Sequence, residues 1–163
     1  MAEDLEIRIA TLEDLDEVMQ LAMLATEENA FLPPDPELLL RAIYPALMRS
    51  QGVVGVIGKP DGMIEGVVVL RIGTLWYSAS AAAEELAVFI HPDYRDAKGG
   101  RAGKLCDFSK KVADDLGLPL MIGVLSNART AAKVKMYERK FGPPAGAYFL
   151  YNGHTGRAGQ TKR

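Results

Sequence analysis

One stretch limits most of what this chain can become: an alternating apolar run that stops at a proline, a loop rich in glycine and cations, then an amphipathic helix. Leu86, Val88 and Ile90 alternate and Pro92 ends the run, which predicts a strand. From Ala102 the apolar or small residues fall at 102, 105, 106, 109, 112, 113 and 116, one face of an α-helix. Between strand and helix lie Gly99, Gly100 and Gly103 with the cations Arg95, Lys98, Arg101 and Lys104. The first turn of a helix has N–H groups without intrahelical acceptors and the positive end of the dipole. Glycine lets that backbone approach a ligand closely. The combination suits a phosphate or pyrophosphate. The plain alternative is a surface turn capping a core helix, but that would not require the cations.

Two familiar phosphate loops are excluded by spacing. A P-loop needs four residues between its first glycine and the Gly-Lys pair, then Ser or Thr. Gly99 to Gly103 leaves three, and Leu105 follows Lys104. The dinucleotide fingerprint Gly-x-Gly-x-x-Gly is absent from Gly100-Arg101-Ala102-Gly103. The residues Ile90-His91-Pro92-x-Tyr94-Arg95, followed by Gly100-Arg101-Ala102-Gly103-Lys104-Leu105, instead resemble motif A of the GCN5-related N-acetyltransferases. The resemblance implies that the backbone of Val88, Phe89 and Ile90 pairs with the pantetheine arm of acetyl-CoA. It also implies that Arg95, Lys98, Gly99, Gly100, Arg101, Ala102, Gly103 and Lys104 hold the pyrophosphate. The family's usual Gln or Arg, two residues, Gly, one residue, Gly or Ala is met in its second half by Gly100-x-Ala102. Ala97 and the early Arg95 depart from the first half, which reads as an insertion within Asp96 to Gly99.

The remaining bounds are broad. A chain of 163 residues fits one domain with its own core. With 19 Lys and Arg against 21 Asp and Glu, the formal charge is -2, which argues against nucleic-acid binding driven by bulk charge. No apolar run approaches membrane-spanning length. The acidic start has no signal-peptide pattern, and one cysteine cannot form an internal disulfide, so a reducing cytoplasm is the expected location. Cys106 falls on the apolar helix face and is expected in the core. His91 and His154 have no metal-ligand spacing, so no metal is expected.

In order, Leu5–Ile9 alternates as a strand. Thr11 and Asp14 then form a variant capping box for a helix that fades near Asn29. Asp35-Pro36 opens a second helix, ending near Gln51-Gly52. Val53–Ile57 and Ile64–Leu75 form a hairpin around Lys59-Pro60-Asp61-Gly62, and Trp76–Ala83 reads as a loop. After the motif A helix, Leu120–Leu125 is a nearly continuous apolar run, as in a strand buried on both faces. Thr130–Phe141 is a helix, and Ala147–Tyr151 a last strand. The predicted architecture is a single α/β domain over residues 1–152, a mixed and mostly antiparallel sheet flanked by helices, matching the acetyltransferase fold. Residues 153–163 form a basic tail expected to be flexible.

The resemblance also implies roles. A carboxylate near the motif A strand serves as base toward the amine, and a tyrosine on the last helix protonates the leaving sulfur. Glu84, six residues before Ile90, has the spacing of the histone-acetylating branch and is the first candidate base; Glu85 is the second. Adjacent strand residues face opposite ways, so only one can face the acetyl group. Solvated residues at a strand start remain an equal alternative for both. Tyr137, in a stretch ending at Gly142 that resembles the family's Tyr-x-x-x-Gly motif with one residue more before the glycine, is the candidate acid; packing with Val134 and Phe141 is its alternative role. Asn127 is the family's cofactor asparagine displaced by three residues. Lys133, Lys135, Arg139 and Lys140 read as a solvated helix face. The implied activity is acetyl transfer from acetyl-CoA to an amine of a small molecule or protein, with no nucleic-acid or membrane partner, and a homodimer left open. A non-catalytic CoA-binding module and an RNA- or protein-binding domain are the other classes.

Overall fold

The computed structural model describes residues 4–126 and 129–153. Five strands form one sheet in the order β1-β2-β3-β4-β5: β1 (Glu6–Ile9), β2 (Gly52–Gly58), β3 (Ile64–Thr74), β4 (Ala81–Ile90) and β5 (Leu120–Ile122). All neighbours are antiparallel except β4 and β5. The helices are α1 (Leu15–Asn29), α2 (Pro36–Leu47), α3 (Arg101–Leu116) and α4 (Thr130–Phe141).

Alternation in the central strands assigns the layers. Val54 and Val56 of β2, with Val67 and Val69 of β3, bury one face against Val18, Leu21, Ala22 and Ala25 of α1 and Ile43, Ala46 and Leu47 of α2. Ile57, Val68 and Leu70 turn to the other face and meet Leu105, Phe108 and Val112 of α3. Gly55 is needed there, because a Cβ at that position would lie 2.5 Å from the Phe108 ring. The sheet is thus a middle layer between two helical layers. Local signals act as read from the sequence at several ends. Asp35 Oδ1 accepts from the N–H groups of Glu37 and Leu38 at the start of α2. Asp14 accepts from the Thr11 N–H and from both terminal nitrogens of Arg8, and a short 3₁₀ turn (Leu12–Asp14) precedes α1.

Three expectations are corrected. β4 begins at Ala81 rather than after Ala83, because the small residues Ala81 to Ala83 pair with Thr74 to Ile72 of β3. β5 is three residues long and not buried on both faces; it is the sheet edge, and Met121 and Leu125 are exposed. Residues 147–151 form no strand. β5 offers a ladder only over Leu120–Ile122, and Phe149 and Tyr151 stay 95% and 90% exposed. Asn127 and residues 154–163 lie outside the described residues. No helix among the described residues is long and apolar enough to cross a membrane. None of their His, Cys, Asp or Glu groups could hold a metal.

Candidate active site

The site starts from an irregularity in β4. Val68 pairs with Val88 and Val69 with Ala87, but Leu70 pairs with Glu85, so Leu86 is an extra residue. This is a β-bulge. Directly opposed residues share a face, so Glu85, opposite Leu70, joins Val88 and Ile90 on the α3 face. Glu84, opposite Arg71, is turned to the other face and forms an ion pair with Arg71.

The bulge therefore decides which glutamate meets Tyr137. The Tyr137 hydroxyl donates to Glu85 Oε1 at 2.6 Å, and the Tyr137 ring stacks with Phe141. The other oxygen, Oε2, is buried with no hydrogen-bond partner. Burial pushes the Glu85 carboxyl up to about 7, against the opposing effect of the tyrosine hydrogen bond. Burial, with the neighbouring Glu85 charge, raises the Tyr137 phenol well above its ordinary value. At neutral pH the pair is a phenol that keeps its proton beside a carboxyl poised to gain or lose one. Cys106 sits near it on α3, and burial first of all lifts its thiol to about 11, so it stays a protonated core residue. The structure does not bring Glu84 to this pair.

A cavity of about 250 Å³ lies on the same stretch of β4 and α4; Met136, next to Tyr137 in sequence, lines it, while Tyr137 and Glu85 themselves stand outside the lining. β5 pairs with β4 only at Ala83, Glu84 and Glu85. Beyond that the two strands part, and Val88, Phe89 and Ile90 line the cavity. Gly100, Arg101, Ala102 and Gly103 form its second wall. Gly100 adopts the left-handed conformation (φ 61°) that starts α3, and no atom lies within 4 Å of where its Cβ would be. The first intrahelical bond at this end runs from the Lys104 N–H to the Gly100 carbonyl. The N–H groups of Arg101, Ala102 and Gly103 precede it, which suits an anion. The C-terminus of α1 (Glu28, Asn29) and one face of α4 (Ala132, Lys133, Met136) close the other sides.

The loop cations are placed differently from the expectation that all four hold pyrophosphate. Arg101 is buried: its Nε donates to Glu65 Oε2 at 2.7 Å, Nη1 donates to the Lys98 carbonyl, and the guanidinium lies over the Tyr94 ring. Arg95 pairs with Glu28, donates from Nε to the Ile90 carbonyl, and covers the Phe89 ring. Their charges brace the loop, because each meets a carboxylate at the inner end of its reach. Lys98 and Lys104 are exposed, and with Gly99 they stand outside the cavity lining. Two other cations line it instead: Arg129, for which the sequence offered no role, and Lys133, expected on a solvated helix face. Lys133 is not part of a solvated face; its Nζ donates to Asn29 Oδ1 at 2.8 Å and Ser126 Oγ at 3.1 Å. Lys140 likewise pairs with Asp107. Positions 133, 136, 137 and 140 follow helical spacing, which placed them on one face of α4; only the partner opposite that face was unknown.

Solved structures share this architecture. An acetyltransferase from Trypanosoma brucei superposes with a TM-score of 0.65 at 22% identity, covering 91% of this chain and 99% of that one. The aminoglycoside acetyltransferase AAC(6')-Iy, in complex with the bisubstrate analogue CoA-S-monomethyl-acetylneamine, gives 0.68 at 16% identity, over 91% and 97%. A ribosomal-protein-alanine N-acetyltransferase from Brucella melitensis biovar Abortus 2308 gives 0.63 at 18% identity, over 90% and 96%. The fold is that of the GCN5-related N-acetyltransferases. No protein-family model matches the sequence, and no curated protein does. In terms of this fold, the parting of β4 from β5 and the glycine-led start of α3 flank a single cleft.

Proposed function

We propose that the chain is an acetyl-CoA-dependent N-acetyltransferase of the GCN5-related family, acting on an amine of a small molecule or a protein. The observation that carries this is the cleft at the parting of β4 and β5. There, β4 backbone that has β3 on one side but no strand on its β5 side stands next to a helix N-terminus opened by Gly100. An extended ligand with amide groups along its length and a pyrophosphate at one end meets matching groups at both walls. Val88, Phe89 and Ile90 would pair with the arm; the amides of Arg101, Ala102 and Gly103 would hold the pyrophosphate. Acetyl-CoA supplies the activated acyl thioester when bound.

Tyr137 is proposed as the proton donor to the departing sulfur. Its raised pKa keeps the phenol protonated at neutral pH. Glu85 fixes the hydroxyl through the 2.6 Å hydrogen bond and, near pH 7, can exchange the proton that Tyr137 gives up. This reverses the order expected for the two glutamates. Glu84, ion-paired with Arg71 on the opposite face, is left a structural cross-strand role. The AAC(6')-Iy and Brucella structures carry names of a small-molecule and a protein acetyltransferase, and both acceptor classes stay within the proposal. The test is release of free thiol from acetyl-CoA in the presence of aminoglycosides, polyamines and N-terminal peptides. Turnover with at least one amine is expected. Tight acetyl-CoA binding without turnover on any of them would favour the non-catalytic module.

A further inference from the structure

The amine of Lys133 lines the cavity, and the proposed reaction leaves its chemistry unused. It sits on α4 one turn before Tyr137, on the same face, and its Nζ is held between Asn29 on α1 and Ser126 ahead of α4. From the cleft that we assign to acetyl-CoA, we infer that Lys133 is an internal acyl acceptor: the protein acetylates its own Lys133 from bound acetyl-CoA. The inference rests on the reading of the cleft given above.

Three features support it. The side chain is half-buried at the wall where the thioester arm would run, so its amine is inside the reaction space and not on the surface. Its two hydrogen bonds use two of the nitrogen's donors. As a neutral amine it keeps both bonds and still has its lone pair. Its environment makes the proton easier to lose than from a free lysine: burial lowers its pKa, and Arg129 and Arg95 add to this, against the opposite pull of Glu28. Those three are the charged groups facing it from α1, the loop and the start of α4. A lysine made nucleophilic by desolvation next to cations is a known route to covalent chemistry.

The step balances without a further reactant. The neutral Nζ attacks the thioester carbon, the N–C bond forms and the C–S bond breaks. The thiolate takes the proton that the nitrogen gives up, leaving acetyl-lysine and CoA with a free thiol. Starting from the ammonium, one more proton goes to solvent. The product has no charge beside Glu28 and one N–H in place of three, so it cannot donate to both Asn29 and Ser126. The contact joining α1 to α4 across the cleft would loosen.

The experiment incubates the purified protein with acetyl-CoA and follows intact mass and peptide maps, with acetyl-CoA binding measured in parallel by calorimetry. One acetyl per chain at Lys133 is expected, at a rate per molecule independent of protein concentration, suppressed by excess CoA and absent in Lys133→Arg. Competitive labelling with acetic anhydride, without acetyl-CoA, should modify Lys133 at lower pH than exposed Lys135. Binding with no acetyl on Lys133, or with acetyl spread over Lys98, Lys104 and Lys110, overturns this inference and leaves the cleft assignment standing. No binding of acetyl-CoA overturns both. Labelling of Lys133 no earlier in pH than Lys135 overturns the claim that its site activates it.

Discussion

Replacing Glu85 by glutamine tests the buried pair through stability alone, with no substrate needed. The carboxyl titrates near 7 in the folded protein against an ordinary value of 4.5. The folded state therefore holds the Glu85 proton more tightly than the unfolded chain does. Its contribution is fully present below about pH 4.5 and is lost as pH rises through 7. Holding the carboxyl near 7 instead of 4.5 corresponds to roughly 3 kcal/mol, at about 1.36 kcal/mol for each tenfold change in proton affinity. Between pH 5 and pH 8 about 2–3 kcal/mol of that would be lost from the wild type. Glutamine keeps the shape and accepts the Tyr137 hydrogen bond, yet never ionises. Urea unfolding at pH 5, 6, 7 and 8 should show Glu85→Gln gaining on the wild type by that amount across the series. Stability curves for the two proteins that run parallel from pH 5 to 8 would refute the claim that Glu85 is an ionisable group buried against Tyr137.

Other consequences follow from particular contacts. Arg101→Ala leaves Glu65 buried without its partner and should cost about 3–5 kcal/mol in urea unfolding; a loss under about 1 kcal/mol would mean the pair is not desolvated. Tyr137→Phe keeps the stack on Phe141 but takes from buried Glu85 its one hydrogen-bond donor, so turnover should fall roughly 10²–10⁴-fold and stability by about 1–3 kcal/mol; unchanged turnover would limit Tyr137 to packing and to satisfying Glu85. Gly55→Ala drives a methyl into the Phe108 ring and should destabilise by about 1–3 kcal/mol, which thermal unfolding would detect or exclude. Glu84→Gln removes only an exposed cross-strand ion pair, so steady-state assays should find turnover near wild type, and a loss comparable to Tyr137→Phe would restore Glu84 as the base.

Much of this was legible from the chain because the signals were local. The alternation of Leu86, Val88 and Ile90, the helical spacing from Ala102, and Asp35 before Pro36 each name an element without reference to the rest of the fold. The helix Thr130–Phe141 was bounded correctly for the same reason. The glutamate order could not be read that way. Six residues from Glu84 to Ile90 suggest a shared face in an unbroken strand, but the bulge at Leu86 inverts the parity, and the bulge is set by pairing with β3. Charges behaved similarly. Arg95, Arg101 and Lys133 were assigned by their place in the sequence, whereas Glu28, Glu65 and Asn29, which receive them, lie 67, 36 and 104 residues away. Ala147–Tyr151 has strand composition, yet composition cannot supply a ladder, and β5 ends at Ile122.

The most direct test of the central claim is calorimetric titration of acetyl-CoA into the wild-type protein and into Gly100→Leu. Micromolar affinity is expected for the wild type, the scale of ordinary substrate sites. In Gly100→Leu the side chain occupies the open space at the start of α3 and the residue resists its positive φ, so binding should be lost while far-ultraviolet dichroism stays native. Equal affinity in both proteins, or no saturable heat in the wild type, would contradict the assignment of this cleft to acetyl-CoA.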